Sequence, residues 1–113
     1  MSHRIDQINE LIREEFSRLV LSEVEFPLEC LVTILRVETS PDLRYAKVWL
    51  SVMPISYAGT VLEIMRRHVG RLQQLLNKRL VMKPLPRLTF GLDDTEHRAS
   101  SIDALLDRIK ETE

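Results

Sequence analysis

The chain has 113 residues, 44% of them hydrophobic, 29% charged and 5% aromatic, with a formal net charge of −1. That length suits one domain, and folding can bury about 65% of the unfolded surface without help from disulfides or metal. Three Gly and five Pro exclude a collagen-like or disordered polymer, and no apolar run approaches the roughly 18 residues that a membrane span needs.

Ile5, Ile8, Ile12, Phe16 and Leu19 recur at spacings of three and four, which predicts an amphipathic helix from about Arg4 to Leu21. Arg4, Asp6, Glu10, Arg13, Glu14 and Arg18 lie between them and suit a wet face. Pro27, within Ser22 to Glu29, marks a helix-to-strand connection. Leu31 to Val37 is short and β-branched, hence a strand. Thr39-Ser40-Pro41-Asp42 carries turn chemistry. From Tyr45 to Met53 the pattern alternates: Ala46, Val48, Leu50 and Val52 face one way, Tyr45, Lys47, Trp49 and Ser51 the other. This predicts a second strand with one buried and one more exposed face, antiparallel to the first.

Pro54 ends that strand, and a helical period resumes from about Tyr57 to Leu80 through Val61, Met65, Val69, Leu72, Leu76 and Leu80. Gly70 lies in the middle of this stretch. It marks a break between two helices, permits a close backbone approach, or is tolerated in a straight helix at a cost of about 1 kcal/mol; periodicity leaves all three open. Pro84 and Pro86 make an extended lead-in, and Leu88-Thr89-Phe90 reads as a short third strand. Asp93 to Glu96 is a polar break, after which Ser100 or Ser101 caps a last helix with the stripe Ile102, Leu105, Leu106 and Ile109. The expectation is an α+β sandwich with a three-stranded sheet and helices over one face.

Charge is segregated along this order. Met1 to Glu63 and Asp93 to Glu113 each carry a balance of −4, whereas Ile64 to Leu92 holds seven Lys/Arg and no acid. These seven are Arg66, Arg67, Arg71, Lys78, Arg79, Lys83 and Arg87, with His68 among them. Such a segment is either an attractive face for a polyanion or a solvated helix face whose acidic partners come from elsewhere. Arg67, Arg71, Gln74 and Lys78 follow at spacings of four, three and four, a line on the side away from Leu72 and Leu76. That line can track a phosphate backbone without reading bases. A break at Gly70 would add helix N-terminal N–H groups as a further anion site. Trp49 and Tyr45 are candidates for stacking on bases, or simply cover for apolar surface.

Signals for catalysis are thin. His3, His68, His97 and Cys30 lack zinc spacing, and neither a P-loop nor a dinucleotide fingerprint occurs. Asp93, Asp94 and Glu96 are either a carboxylate set for Mg²⁺ or a loop before a helix N-terminus. No metal or cofactor is expected. The opening Met1 to Asp6 lacks an apolar segment of the signal-peptide kind, and the lone Cys30 cannot form an internal disulfide. A cytoplasmic protein without a membrane partner is expected.

Two blocks carry a family resemblance. Thr39 to Val52 resembles the central strand-turn-strand block of ribosome-binding factor A, and Leu85 to Phe90, with Leu92 to Glu96 and the Ile102/Leu105/Leu106 helix, resembles its closing block. The opening helix with Arg4, Ile8 and Glu14/Glu15 is also similar. The resemblance runs from about Arg4 to Ile109. It implies a single KH-like domain of type II order over residues 1–113, α-β-β-α-kink-α-β, with a core at 4–92 and an acidic C-terminal helix at 100–111. It also implies a non-catalytic assembly factor that binds the immature small (30S) ribosomal subunit and its 16S ribosomal RNA, assists late maturation, and in some bacteria supports growth in the cold. The family lacks the G-x-x-G clamp of ordinary KH domains, and an interrupted helix, usually written Ala-x-Gly, stands in its place. Here that triplet is His68-Val69-Gly70. The candidate RNA contacts are therefore Arg66, Arg67, His68, Arg71, Lys78, Arg79, Lys83 and Arg87, with Arg71 beside the kink foremost. The rival reading is a protein-interaction module whose acidic ends recruit a partner such as a maturation GTPase; an enzyme built on Asp93, Asp94 and Glu96 is a distant third. A monomer is expected, because one small core uses every apolar stripe.

Overall fold

In a computed structural model of the chain, the structure describes residues 2–81 and 85–93. Lys83, Asp94, Glu96, His97 and the helix expected at 100–111 lie outside them. The elements run α1 (Ser2–Glu23), β1 (Leu31–Thr39), β2 (Tyr45–Met53), a short 3₁₀ turn (Ile55–Tyr57), α2 (Ala58–Arg79) and β3 (Arg87–Leu92). The sheet order is β1-β2-β3. β1 and β2 are antiparallel, joined by the expected turn. β2 and β3 are parallel, which the intervening helix makes possible.

Both helices contribute one apolar stripe to the core. Ile12, Phe16 and Leu19 of α1 meet Val61, Met65, Leu72 and Leu76 of α2 over Ala46, Val48, Leu50 and Val52 of β2, and all are essentially inaccessible to solvent. Phe16 packs on Phe90 of β3 with ring centroids 5.9 Å apart. The period-two reading of β2 therefore holds for its core face. On its other face Ser51, expected to be exposed, is buried at 8%. Its small side chain pairs across the sheet with Thr33 and lies between the larger Trp49 and Met53.

One residue of β1 is extra. The register passes from Ile34↔Leu50 to Arg36↔Trp49, so Leu35 bulges. Strict alternation from Ile34 would send Arg36 into the core; the bulge moves it to the open face beside Trp49. There Arg36 pairs with Asp93 at 2.5 Å and lies 4.9 Å from the centre of the Trp49 ring, with Lys47 Nζ at 4.4 Å. The indole N–H donates to Glu38. A β-carbon on Gly91 would sit 2.6 Å from Lys47 Cε and 3.0 Å from the Trp49 ring, so glycine is what lets this cluster lie against β3.

The interruption expected at Gly70 is absent. α2 runs unbroken from Ala58 to Arg79, and Gly70 has no positive φ. Apart from its chain neighbours and the backbone of its own helix turns, no atom lies within 4 Å of where its β-carbon would be, so no close approach requires glycine either. The residue is exposed and the helical hydrogen-bond ladder continues through it, at the roughly 1 kcal/mol a mid-helix glycine costs. The helix N-terminus that a break would have supplied as an anion site does not exist.

Candidate nucleic-acid interface

α2 holds most of the candidate residues because its two faces are chemically distinct. With 22 residues it is about 33 Å long. Its apolar side is packed on α1 and the sheet. Arg66, Arg67, Arg71, Gln74 and Lys78 are all exposed, and the line from Arg67 to Lys78 spans about 16 Å along the axis. The structure thus brings Arg67, Arg71 and Lys78 onto one face, with Arg66 flanking it.

Their electrostatic states differ. Arg71 Nε donates to Glu23 Oε1 at 3.0 Å, across to the last turn of α1. Arg79 Nη1 lies 3.6 Å from Glu15. These exposed pairs are worth little as stability, but each offsets a positive charge. Among the described residues Arg66, Arg67 and Lys78 form no ion pair, so the uncompensated field of α2 centres on them and not on Arg71. His68 is half-buried, with Nδ1 2.8 Å from the carbonyl of Ile64 one turn earlier. That nitrogen is engaged with its own helix.

Arg87 stands apart from this line. It opens β3, opposite Tyr45 in the register, with its backbone N–H bonded to the Arg44 carbonyl at 2.8 Å. It shares a cleft of about 890 Å³ with Arg4 of α1 and Arg44 of the β1–β2 turn, and no α2 residue lines that cleft. Sequence reasoning did not bring these three arginines together, because the parallel register of β2 and β3 has no local signal.

Gln73 was also missed. It lies off the basic line, toward β3. Its amide donates to the Pro86 carbonyl at 3.1 Å and accepts the Leu88 N–H at 2.9 Å. This one side chain pairs the outward-facing Leu88 N–H and ties the start of β3 to α2.

The remaining candidates have structural roles. The Trp49 ring is occupied by Arg36, Lys47 and Glu38, while Tyr45 is half exposed. Asp93 is committed to Arg36. Cys30 Sγ lies 3.3 Å from the Pro27 carbonyl. Among the described residues no group of three or more His, Cys, Asp or Glu could hold a metal ion, and no helix is long and apolar enough to cross a membrane.

Comparison with known proteins agrees with this architecture. The family model for ribosome-binding factor A matches residues 4–106. Ribosome-binding factor A of Akkermansia muciniphila is 38% identical over 109 residues, covering 96% of this chain and 86% of the relative. That of Pseudomonas aeruginosa is 33% identical over 108 residues, covering 93% and 84%. The crystal structure of ribosome-binding factor A from Thermus thermophilus superposes with a TM-score of 0.68 over 78% of this chain and 94% of that one; at 22% identity it bears on the fold alone. A Thermus thermophilus homology model fitted into a cryo-EM map of a 30S complex superposes with a TM-score of 0.62 at 26% identity, covering 80% and 92%. The fold is α+β and KH-like, the match spans nearly the whole sequence, and the chain belongs to the ribosome-binding factor A family.

Proposed function

We propose that this chain is a non-catalytic assembly factor that binds the immature small ribosomal subunit through its 16S ribosomal RNA and assists late maturation. The observation that supports it most directly is the basic face of α2, with Arg66, Arg67 and Lys78 unpaired among the described residues, on a chain whose relative was fitted to a 30S complex. Guanidinium and ammonium groups spaced along one helix position phosphates without selecting bases. Binding therefore favours one local RNA conformation and needs no covalent chemistry and no cofactor. Arg71 and Arg79 contribute less to this face, because Glu23 and Glu15 offset their charge. Lys83, outside the described residues, is a further candidate contact by its charge. Residues 1–113 act in the cytoplasm as one KH-like domain and as a monomer, and a maturation GTPase is a further partner at later stages.

Sucrose-gradient sedimentation of tagged protein in lysate tests this reading. Wild type is expected with free small subunits and not with full ribosomes. Arg67→Glu/Lys78→Glu is expected to stay at the top of the gradient, because two attractive contacts become repulsive. Association should weaken steeply with salt, as counterion release requires. Wild type at the top of the gradient at every salt concentration would overturn the proposal in favour of a module that recruits another protein.

A further inference from the structure

The cleft lined by Arg4, Arg44 and Arg87 is not explained by the α2 face. Three distant segments build it: the first turns of α1, the end of the β1–β2 turn, and the lead-in and first residue of β3. Its volume, about 890 Å³, falls in the range of small-ligand sites. Arg4, Arg44 and Arg87 line it with a single acid, Asp42. Arg44 Nε lies 3.8 Å from Asp42 Oδ2, so the charge that Asp42 offsets is that of Arg44, while Arg4 and Arg87 form no ion pair among the described residues. That acid is already engaged: its carboxylate accepts the Ser40 hydroxyl at 2.6 Å and the Arg44 N–H at 3.1 Å. Between the charges lie Ile8, Leu11, Leu43 and Leu85, with Leu11 and the half-exposed Tyr45 open to solvent.

The turn is shaped for this arrangement. Leu43 has φ 62°, a left-handed conformation that a branched side chain rarely adopts. Two hydrogen bonds hold it there, Leu43 N–H to the Ser40 carbonyl and Ser40 N–H to the Tyr45 carbonyl, both 2.8 Å. The strain places a leucine side chain in the wall of the cleft, where a solvated turn would carry Gly or Asn. Strain of this kind collects at binding loops.

We propose that this cleft binds a single-stranded RNA segment of one or two nucleotides, as a contact separate from the α2 face. The proposal rests on the RNA-binding reading above. Arginine is the side chain whose planar fork matches phosphate oxygens. Tyr45 offers a ring for a base, and the leucines offer a dry wall behind it. A duplex keeps its bases stacked inside and presents phosphate and ribose outward, leaving the apolar wall unused; a splayed single strand uses both.

The test is fluorescence anisotropy with a labelled eight-nucleotide single-stranded RNA, and with the same sequence locked in a hairpin stem. Wild type should bind the single strand more tightly than the stem. Arg4→Gln/Arg87→Gln should weaken single-strand binding at least tenfold and lower the salt slope by about 1.4, two phosphate contacts at about 0.7 each for single strands. Tyr45→Leu, which keeps an apolar side chain on the strand, should weaken it at least fivefold, since stacking on one aromatic ring is lost. The charge-matched control Arg13→Gln/Arg18→Gln, on α1 outside the cleft, should bind like wild type. Amide chemical-shift changes should centre on Leu43, Arg44 and Arg87, independently of any variant. Wild type that binds no single strand, or cleft variants that bind it undiminished, would overturn the proposal. Sedimentation of wild type with small subunits would still support the α2 reading in either case, so the two can fail separately.

Discussion

Gln73 offers the sharpest test of how α2 and β3 are joined. Its side chain makes two partly buried backbone hydrogen bonds, at 3.1 Å to Pro86 just before β3 and at 2.9 Å to Leu88 within it. Gln73→Leu keeps the volume and removes both partners. Each lost bond costs about 1 kcal/mol, and a backbone group left without water or partner adds to that, for a total of about 2–3 kcal/mol. For a chain of this size the melting temperature should fall by roughly 8–12 °C. Gln73→Glu keeps the acceptor for Leu88 but sets a carboxylate oxygen against the Pro86 carbonyl, so it should also destabilise at neutral pH and recover in part when the carboxyl is protonated. The single tryptophan, Trp49, packs against Gly91 of β3 and reports on that strand. Urea titrations followed by its emission, beside thermal melts by circular dichroism, give both midpoints. A Gln73→Leu variant within about 0.5 kcal/mol of wild type would refute the edge-clip argument, because ordinary surface substitutions fall in that band.

Three further outcomes follow from particular contacts. Gly70→Ala should stabilise the protein by about 0.5–1 kcal/mol, because the helix is continuous and nothing occupies the space of the new methyl; a lower melting temperature would mean that the helix breaks there after all. Gly91→Ala should displace Lys47 from the Trp49 ring, change the tryptophan emission and cost about 0.5–1 kcal/mol of cation–π interaction; an unchanged spectrum would contradict the packing. The Asp42 carboxyl is held below the usual carboxylate value, first by the Ser40 hydroxyl and then by the Arg44 N–H. A group depressed in the folded state adds stability above its unfolded value and loses it as pH falls through the folded one. Ser40→Ala should therefore move the Asp42 titration, followed by carbon-detected NMR, upward toward the ordinary carboxylate value, and an unmoved midpoint would refute that assignment.

The split between what was legible and what was not follows the range of each interaction. Element type is a local property, because side-chain period is set by backbone geometry over a few residues. The alternation from Tyr45 to Met53 gave a strand with those limits, and the three-four spacing gave both helices to within a few residues. The segregation of charge onto one stretch, and the line of Arg67, Arg71 and Lys78, needed only the helical period. Family resemblance supplied the rest of the KH-like order but misled at Gly70, where a glycine is compatible with a break and with a straight helix alike.

Contacts between distant segments were not legible. A bulge at Leu35 turns Arg36 from the core to the Trp49 cluster, and only pairing with β2 shows it. Glu23 reaches Arg71 across 48 positions and offsets the charge at the foremost candidate contact. Arg4, Arg44 and Arg87 meet because β3 enters the sheet parallel to β2, a register that no turn residue specifies. The sequence by itself determined the elements, the amphipathic faces and the sign of the charge on α2, since each depends on neighbours within two turns. Which of those charges stay free, and which residues share a cleft, depended on packing that brings together side chains tens of residues apart, and only the tertiary structure decided it.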